Sequence, residues 1–276
     1  NEGARGMIRP GDIFTGDETG EDYEVLEFLG KGGMGVVHKI RRFSDGTDFV
    51  AKAPLDASGL KIKKIENESR ILKKLEELGV QNVVRAVELG SFSTSHQKIP
   101  ILVMHVAKGD EISTVIKRNV SPEDVRDIML TISKTMDEVH KAGYIHRDLK
   151  PDNIFLDDVG GSNTVTVIDF GIAAVKEDHE TFARTVSVDH TRVDAPPEQA
   201  RGTVSIGNDI FSLGATGYAM LVGVDQLKRD VDNHISPPYN PFHHFHNRTI
   251  EDEHLFKVIE KATQPERRNR FATMYD

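Results

Sequence analysis

The N-terminal part of the chain alternates short apolar runs with glycine and polar turns. The runs that carry this pattern are 25–29, 36–40, 49–52, 83–89 and 101–106. The first two runs flank a glycine-rich stretch, and Asp45-Gly46 precedes the third. Short β-branched runs on both sides of a tight turn are typical of antiparallel hairpins. The pattern therefore predicts an antiparallel sheet in this part of the chain.

Four other segments show the spacing of helices instead. Residues 60–78 form the first of these segments. Its apolar positions on or near one face are Leu60, Ile65, Leu72, Leu75 and Leu78. Ser121 is a predicted N-cap, and the helical spacing that follows it continues to Gly143. Residues 209–222 and 253–263 are also predicted helices, and the first of these is apolar on nearly every face, as a buried helix is.

The order of these elements is strands with one helix, followed mainly by helices. This order predicts an α+β fold with two lobes. Residues 1–20 carry five glycines and no apolar periodicity, so we expect a flexible lead-in there. Residues 21–106 are then expected to form the N-terminal lobe, and residues 107–276 the C-terminal lobe.

Length, charge and cysteine content limit the classes of function. A chain of 276 residues fits a two-lobed unit with one function. The formal charge of −9 disfavours nucleic acid or an anionic membrane as the main partner, because both require a basic surface. The lack of cysteine excludes thiolate chemistry and fits a reducing compartment such as the cytoplasm. No apolar run approaches the roughly 20 residues of a transmembrane helix.

The strongest chemical signal is the loop from His146 to Asn153, where Pro151 prevents a helix. Asp148, Lys150 and Asn153 stand close together in this loop, which could aim them into one cleft. Asp148 could accept a proton, and Lys150 could neutralise phosphate charge. The amide of Asn153 could bind a hard cation.

A glycine-rich turn and a strand lysine could hold phosphate groups. The turn Gly30–Gly35 would let backbone amides approach an anion, although such a turn in a hairpin usually has no function. Lys52 stands on the next predicted strand, among apolar neighbours. A lone strand lysine is usually solvated, so this one needs an acidic partner to place it in a phosphate site.

Two carboxylates complete the candidate set. Glu68 is predicted to lie on the inward face of helix 60–78 and to pair with Lys52, whereas Glu66 is better placed for a surface pair. Asp169 follows a predicted strand and is itself followed by Phe170-Gly171. A carboxylate at that position suits a magnesium ligand, with Asn153 as the second ligand.

Taken together, these stretches resemble the eukaryotic-type (Hanks-type) serine/threonine protein kinases, and bacterial members in particular. The matching stretches are Gly30–Val37, Val50-Ala51-Lys52, Glu68, His146–Asn153 and Asp169-Phe170-Gly171. The resemblance extends from about Tyr23 to the last residues. It implies the bilobal protein-kinase fold, with a small antiparallel-sheet N-lobe containing one helix and a mostly helical C-lobe. It also implies transfer of the γ-phosphate of ATP to serine or threonine hydroxyls of proteins, with autophosphorylation.

The resemblance further implies a role for each matching residue. The implied catalytic residues are Asp148, Lys150, Lys52 and Glu68, and the implied ligands of Mg²⁺, with Mn²⁺ as a substitute, are Asn153 and Asp169. The implied ATP-binding residues are Gly30, Lys31, Gly32, Gly33, Met34, Gly35, Val37, Ala51, Lys52, Met104, His105, Val106 and Phe155. Leu72, His146 and Phe170 would stack in a hydrophobic spine. Asp209 would brace the catalytic loop, and Glu198 would pair with Arg270.

The segment between Asp169 and Glu198 departs from the family pattern. Pro196-Pro197-Glu198 stands where the family has Ala-Pro-Glu, and Asp194 replaces an aromatic residue. These changes concern the segment that docks the substrate. Arg147 could receive a phosphate from this segment, and the candidate acceptors are Thr181, Thr185 and Ser187. Thr191 falls where the family keeps a threonine that bonds the catalytic aspartate and lysine.

Three other classes of function stay open. A pseudokinase scaffold would be expected to lose Lys52, Asp148 or Asp169, and all three are present. A small-molecule phosphotransferase would usually lack a long substrate-docking segment, and tyrosine kinases differ at Lys150. The histidines 243, 244 and 246 invite a metal-site interpretation, but nearby prolines favour an irregular loop. The expected partners are proteins with serine or threonine acceptors, with homodimerisation implied by the family and with neither nucleic acid nor a membrane in contact.

Overall fold

A computed structural model describes most of the chain in two units. The described residues are 8–32, 35–94, 97–118, 120–159, 162–171, 173–175, 196, 198, 204–223, 229, 237–239 and 249–276. The first unit comprises Asn1–Gly79, Val83–Ala107 and Asp169–Ile172, and the second comprises Val80–Asn82, Lys108–Ile168 and Ala173–Asp276. The predicted boundaries of the two lobes stay a prediction.

The first unit is built on an antiparallel sheet. Its strands are β1 Ile13–Gly16, β2 Asp22–Lys31, β3 Gly35–Arg42, β4 Asp48–Pro54, β5 Ala86–Ser93 and β6 Lys98–Met104. They pair in the order β2-β3-β4-β6-β5, and the short β1 pairs with both β2 and β5. All the strands that the apolar runs predicted are therefore present. One face of the sheet carries the core, which includes Tyr23, Ile40, Phe49, Ala51 and Val103.

Strand β1 lies inside the segment that we expected to be a flexible lead-in. Ile8 and Phe14 are only 1% and 2% exposed, and the ring of Phe14 stacks on Tyr23 at 5.3 Å between centroids. The expectation of a lead-in without structure is thus wrong for the described part of this segment. Its apolar residues are few and are interrupted by glycines, so they show no local periodicity. They are buried because strands formed by later residues pair with β1.

The helix of the first unit, α1, spans Gly59–Glu77. Its buried residues are Ile65, Glu68, Ser69, Ile71, Leu72 and Leu75. Leu60 and Leu78, which we placed on or near the same face, are 51% and 53% exposed. The predicted face is therefore right in the middle of the helix and wrong at its two ends.

The second unit is mainly helical. Its helices are α2 Ile112–Val115, α3 Pro122–Lys141, α4 Ile206–Val222 and α5 Ile250–Ala262. As predicted, the hydroxyl of Ser121 accepts a hydrogen bond from the backbone N–H of Asp124 at 3.1 Å and caps α3. Helix α4 is buried from Gly207 to Met220, and a Cβ at Gly214 would lie only 2.7 Å from Cβ of Ala262. None of the helices in the described ranges is long and apolar enough to span a bilayer.

Short strands hold the loop that carries the strongest chemical signal. They are β7 Asp110–Glu111, β8 Tyr144–Ile145, β9 Ile154–Val159, β10 Ser162–Val167 and β11 Ala174–Val175. β9 pairs with β10 and β7, and β8 pairs with β11. The loop therefore begins at the end of one paired strand and ends at the start of another. The sheet-rich first unit and the helical second unit confirm the predicted α+β class.

Candidate active site

Lys52 lies on β4 with its ammonium group between two carboxylates. Its Nζ is 2.7 Å from Oε2 of Glu68, 3.0 Å from Oε1 of Glu68 and 2.7 Å from Oδ1 of Asp169. Lys52 and Glu68 are 5% and 1% exposed. Helix α1 thus places Glu68, rather than Glu66, against Lys52, as the helical spacing predicted.

Burial and charge act in opposite directions on this cluster. Burial disfavours the charged form of Lys52, but the carboxylates of Asp169 and Glu68 outweigh it and raise the pKa of this ammonium. Burial raises the pKa of Glu68 above its ordinary range, an effect that Lys52 opposes and Asp169 reinforces. Because two carboxylates face one ammonium group, the cluster as a whole favours the addition of positive charge.

The backbone at Asp169 is bent so that its side chain meets Lys52. Its φ of 64° is in the left-handed region that non-glycine residues rarely adopt. Its Oδ1 also accepts a hydrogen bond from the N–H of Gly171 at 3.3 Å. Phe170, between them, is fully buried. A strained conformation held by such contacts is common at functional positions.

The described glycines of the glycine-rich turn divide into two kinds. A Cβ at Gly30 or Gly32 would meet no atom within 4 Å, so their backbone is open to an approaching group. A Cβ at Gly35 would overlap the carbonyl oxygen of Ala53, so sheet packing requires glycine there. Gly33 and Met34 lie outside the described residues. The exposed Lys31 ends β2.

The strand register corrects one residue of the predicted nucleotide site. Val37 lies directly opposite Lys52, and Val50 lies opposite Met104, so these four side chains share one face of the sheet. Ala51 points to the opposite face and is fully buried in the core. This register contradicts the prediction that Ala51 shares a face with Lys52, and it places Val50 on that face instead. The alternation of strand side chains, counted back two positions from Lys52, was the signal that could have found it.

The other predicted nucleotide contacts differ in their exposure. Met104 is 7% exposed, whereas Val106 is 48% exposed. The backbone N–H of His105 donates to the carbonyl oxygen of Arg85 at 3.0 Å. Phe155 is half-buried on β9 of the second unit. Its contact with a nucleotide and the stacked spine both stay predictions.

The second unit brings Asp148, Lys150 and Asn153 together. The amide Nδ2 of Asn153 donates to the backbone oxygen of Asp148 at 2.8 Å and to its Oδ2 at 2.9 Å. The Nζ of Lys150 lies 3.3 Å from the same Oδ2. Because Nδ2 is turned toward Asp148, the amide oxygen of Asn153 points the other way. Asp152, in the same loop, is exposed.

Asp209 holds the start of this loop through its backbone. Its carboxylate accepts hydrogen bonds from the N–H of His146 at 2.9 Å and from the N–H of Arg147 at 2.8 Å. Arg147 has a φ of 70°, so the loop bends sharply there. The Nε2 of His140 on α3 lies 2.8 Å from Oδ2 of Asp209. Burial opposes the charge on Asp209, but these hydrogen bonds outweigh it and lower its pKa.

The bracing by Asp209 matches what the sequence resemblance implied, whereas the contribution of His140 was missed. His140 occupies the apolar face of α3, where a histidine is difficult to separate from core residues. His146 is also fixed, because its Nδ1 accepts from the N–H of Asp148 at 3.2 Å and its Nε2 lies 2.9 Å from the carbonyl oxygen of Ile168. This pattern requires the tautomer with hydrogen on Nε2.

The predicted pair of Glu198 and Arg270 is present and is structural. Two parallel hydrogen bonds of 2.6 and 2.9 Å join the guanidinium to the carboxylate. Arg270 also donates to the carbonyl oxygens of Gly207 and Gln264 at 2.8 and 2.7 Å. Such a bidentate pair, with its remaining donors used, fixes the end of the chain to α4.

Several predicted features lie outside the described residues. They are Thr181, Thr185, Ser187, Thr191, Asp194, Pro197 and the histidines 243, 244 and 246. Within the described ranges, no group of three histidine, aspartate or glutamate side chains is placed to hold a metal ion by itself. Magnesium sites commonly use one or two carboxylates together with substrate phosphates. The lack of a three-residue group in the described ranges is therefore compatible with a magnesium site that also uses nucleotide phosphates.

The fold and the two side-chain clusters define a protein kinase domain, and the comparison with known families agrees. The family model described as the protein kinase domain matches residues 23–272, so the chain belongs to this family. The match confirms the predicted family and the predicted bilobal kinase fold.

Bacterial serine/threonine kinases are among its relatives. The chain is 32% identical to the probable serine/threonine-protein kinase PknB of Bifidobacterium longum over 213 residues, which cover 74% of this chain and 30% of that protein. It is 31% identical to the probable serine/threonine-protein kinase CPE1738 of Clostridium perfringens over 269 residues, or 92% and 37% of the two chains. The serine/threonine-protein kinase PknB of Mycobacterium leprae is 30% identical over 207 residues, or 73% and 32%. The chain thus spans about a third of the length of these relatives.

Proposed function

We propose that this chain transfers the γ-phosphate of ATP to serine or threonine hydroxyls of proteins. The observation that carries the proposal is the buried Lys52, which pairs with Glu68 on α1 and with Asp169. A lysine that only extended into solvent would be exposed and would not pair with two carboxylates. A lysine held in this way is a fixed positive charge for a phosphate group.

The residues present fit a divalent cation and a nucleotide. The Lys52 cluster favours additional positive charge, and the side chain of Asp169 is 28% exposed, so a ligand can reach it. Carboxylate and amide oxygens, as on Asp169 and Asn153, are the ligands that hard divalent cations take. We propose Mg²⁺ as the ion, with Mn²⁺ as a substitute. Gly30 and Gly32 leave open backbone for phosphate oxygens.

Each residue of the two clusters then has a separate task. When bound, ATP would supply the phosphoryl group, and the metal ion held by Asn153 and Asp169 would neutralise part of its charge. Asp148 orients the acceptor hydroxyl and takes its proton, and Lys150 stabilises negative charge beside it. Asn153 holds Asp148 in place through its two hydrogen bonds. Lys52, oriented by Glu68, contacts the phosphates.

The acceptor is proposed to be serine or threonine of a protein, including this chain itself. The matched relatives are named serine/threonine-protein kinases, and this chain has Lys150 in the loop position that the resemblance associates with that specificity. A cytoplasmic setting and dimerisation through α1 are further parts of this proposal. A pseudokinase is disfavoured because Lys52, Asp148 and Asp169 are all retained.

The test is the transfer of labelled phosphate from Mg-ATP to the chain and to a generic protein substrate. Asp148→Asn keeps the shape of the side chain and removes the proton acceptor, so we expect transfer to fall by about 100-fold or more. Asp152→Asn is the matched control, because it makes the same change at an exposed position of the same loop. Transfer at the Asp148→Asn level by the wild type, despite normal Mg-ATP binding, would contradict the proposal.

A further inference from the structure

Glu88 on β5 is a buried carboxylate that the proposed reaction does not use. It is 0% exposed. Its Oε2 accepts from the backbone N–H groups of Glu18 and Thr19 at 3.0 and 3.1 Å. Its Oε1 accepts from the hydroxyls of Thr19 and Tyr23 at 2.6 and 2.8 Å. Burial alone would raise the pKa of Glu88, but these four donors outweigh it, so the carboxylate stays charged.

Three of the four donors belong to the segment Ile8–Asp22, which we name the N-terminal strap. The strap includes β1 and the turn that leads into β2. Gly16, the last residue of β1, has no room for a Cβ, because the carboxylate of Glu88 occupies that space. The N–H of Asp17 also donates to the carbonyl oxygen of Leu89 on β5 at 2.9 Å. Hydrogen bonds to Glu88 and to the backbone of Leu89 therefore hold the turn of the strap against β5.

Glu18 connects this site to α1. Its backbone N–H is bonded to Glu88, while its side-chain carboxylate forms an ion pair with Nζ of Lys73. Lys73 lies on α1, the helix that carries Glu68. A series of contacts thus runs from buried Glu88 through Glu18 and Lys73 to the helix whose Glu68 holds Lys52.

We infer that the N-terminal strap positions α1 and so keeps Glu68 against Lys52. Glu18 and Lys73 are positioning residues in this scheme, since neither belongs to the Lys52 cluster. The inference rests on the proposed function only for its effect on phosphate transfer. Its structural part, that the strap restrains α1, holds independently of any activity.

The first experiment tests the link between Glu18 and Lys73. Both side chains are partly exposed, so we expect Glu18→Gln and Lys73→Gln each to lower kcat/KM for ATP by about two- to fivefold. The double variant is expected to lose no more than either single variant, because all three lack the same contact. The charge swap Glu18→Lys with Lys73→Glu should restore most of the loss.

Lys74→Gln is the matched control, because Lys74 pairs with Glu77 inside α1 and does not depend on the strap. An equal loss in Lys74→Gln and Lys73→Gln would overturn the inference. So would losses that multiply in the double variant. If the wild type transfers no phosphate, the proposed function fails, and amide hydrogen exchange of α1 in the same variants still tests the restraint.

The second experiment acts on the buried end of the strap. In Glu88→Gln, the amide oxygen can accept from both N–H groups, and the amide N–H₂ can donate to the hydroxyl oxygens of Thr19 and Tyr23. Glu88→Leu keeps similar volume and removes all of these bonds. We expect faster amide exchange in both the strap and α1 for Glu88→Leu, and nearly wild-type exchange for Glu88→Gln.

Faster exchange in the strap with unchanged exchange in α1 would overturn the inference, because the strap would then be fastened without restraining the helix. If Glu88→Leu fails to fold, Thr19→Val offers a milder version of the same test. It removes the 2.6 Å bond from the Thr19 hydroxyl to Glu88 and the 3.2 Å bond that this hydroxyl accepts from the N–H of Glu21, and it leaves both backbone bonds to Glu88 in place. Its expected result is a smaller increase in exchange in the same two segments.

Discussion

Two buried carboxylates of this chain, Glu68 in the first unit and Asp209 in the second, have opposite surroundings. Glu68 faces the ammonium of Lys52 and shares it with Asp169. Asp209 accepts two backbone N–H groups and the Nε2 of His140. The pKa of Glu68 is raised, and that of Asp209 is lowered.

The role of a buried carboxylate therefore depends on whether its partners are backbone donors or charged side chains. Donors that belong to the backbone are fixed by the fold, so Asp209 stabilises one loop conformation. The partners of Glu68 are side-chain charges, and the cluster has more carboxylates than ammonium groups. Such a cluster can take up or release a proton or bind a cation. Asp209 is therefore expected to matter for stability, and the Lys52 cluster for binding.

The largest expected effect is at Asp209. In Asp209→Asn, the amide group accepts fewer of the three donors, and its own N–H₂ faces a buried donor. We expect a loss of about 3 kcal/mol in the free energy of unfolding, since hydrogen bonds to buried charges are strong. Urea unfolding measures this loss. Asp152→Asn, at an exposed position, should change stability by less than about 0.5 kcal/mol.

The wild type should also lose the contribution of Asp209 at low pH. The folded-state pKa of Asp209 is below its unfolded value, so its stabilisation is present above the unfolded pKa and is lost as the pH falls through the folded one. The acid limb of the stability curve should therefore be shallower in Asp209→Asn. Equal acid limbs in the two proteins would contradict the role of Asp209.

A smaller loss of stability, with the opposite dependence on pH, is expected at Lys52. Lys52→Met removes the ammonium group and should abolish transfer, while its cost in stability at neutral pH should be about 1–2 kcal/mol. The cost is limited because Glu68, whose pKa is already raised, can take up a proton. A group whose pKa is raised by folding contributes its full stabilisation below its pKa in the unfolded state. This stabilisation is lost as the pH rises through its pKa in the folded state. The variant should therefore be relatively more stable at pH 5.5 than at pH 8.

Urea unfolding of Lys52→Met at several pH values measures this dependence. A loss as large as that of Asp209→Asn, or a variant that becomes less stable on acidification over this range, would show that Lys52 mainly holds the fold together. The Lys52 cluster would then have the same structural role as Asp209.

The two neighbours Val50 and Ala51 are expected to affect phosphate transfer less than Lys52 does. Val50 shares the sheet face of Lys52 and Met104, so Val50→Ala should raise KM for ATP by about two- to tenfold with little change in stability. Ala51 points into the packed core, so Ala51→Val should cost about 1–3 kcal/mol and leave KM nearly unchanged. The reverse pattern, measured by steady-state kinetics and urea unfolding, would show that Ala51 rather than Val50 lines the nucleotide site.

Much of the fold and of the candidate site could be predicted from sequence, because the signals are local. Apolar runs around Gly30–Gly35 predicted the hairpin, and helical spacing on α1 selected Glu68 over Glu66. The start of α3 followed from the capping chemistry of Ser121. These predictions succeeded because hydrogen-bond geometry over a few residues governs them.

The failures have a common cause in contacts between distant segments. β1 was missed because Ile8 and Phe14 are buried in the core only when β2 and β5 lie beside β1. The strap site was missed because Glu88 is 69 residues from Thr19 along the chain. Ala51 was misplaced because proximity in sequence to Lys52 was given more weight than the alternation of strand faces.

The order of residues along the chain specifies the kinds of chemical groups and the local helices and strands that carry them. This was sufficient for the family, since the spacing of Lys52, Asp148 and Asp169 along the chain can be recognised without coordinates. Contacts between distant segments set the direction in which the pKa of each buried carboxylate shifts, and they set which face of β4 carries Lys52. These depend on burial and on distances across the sheet, and a carboxylate acquires its pKa and its role only from the groups that surround it.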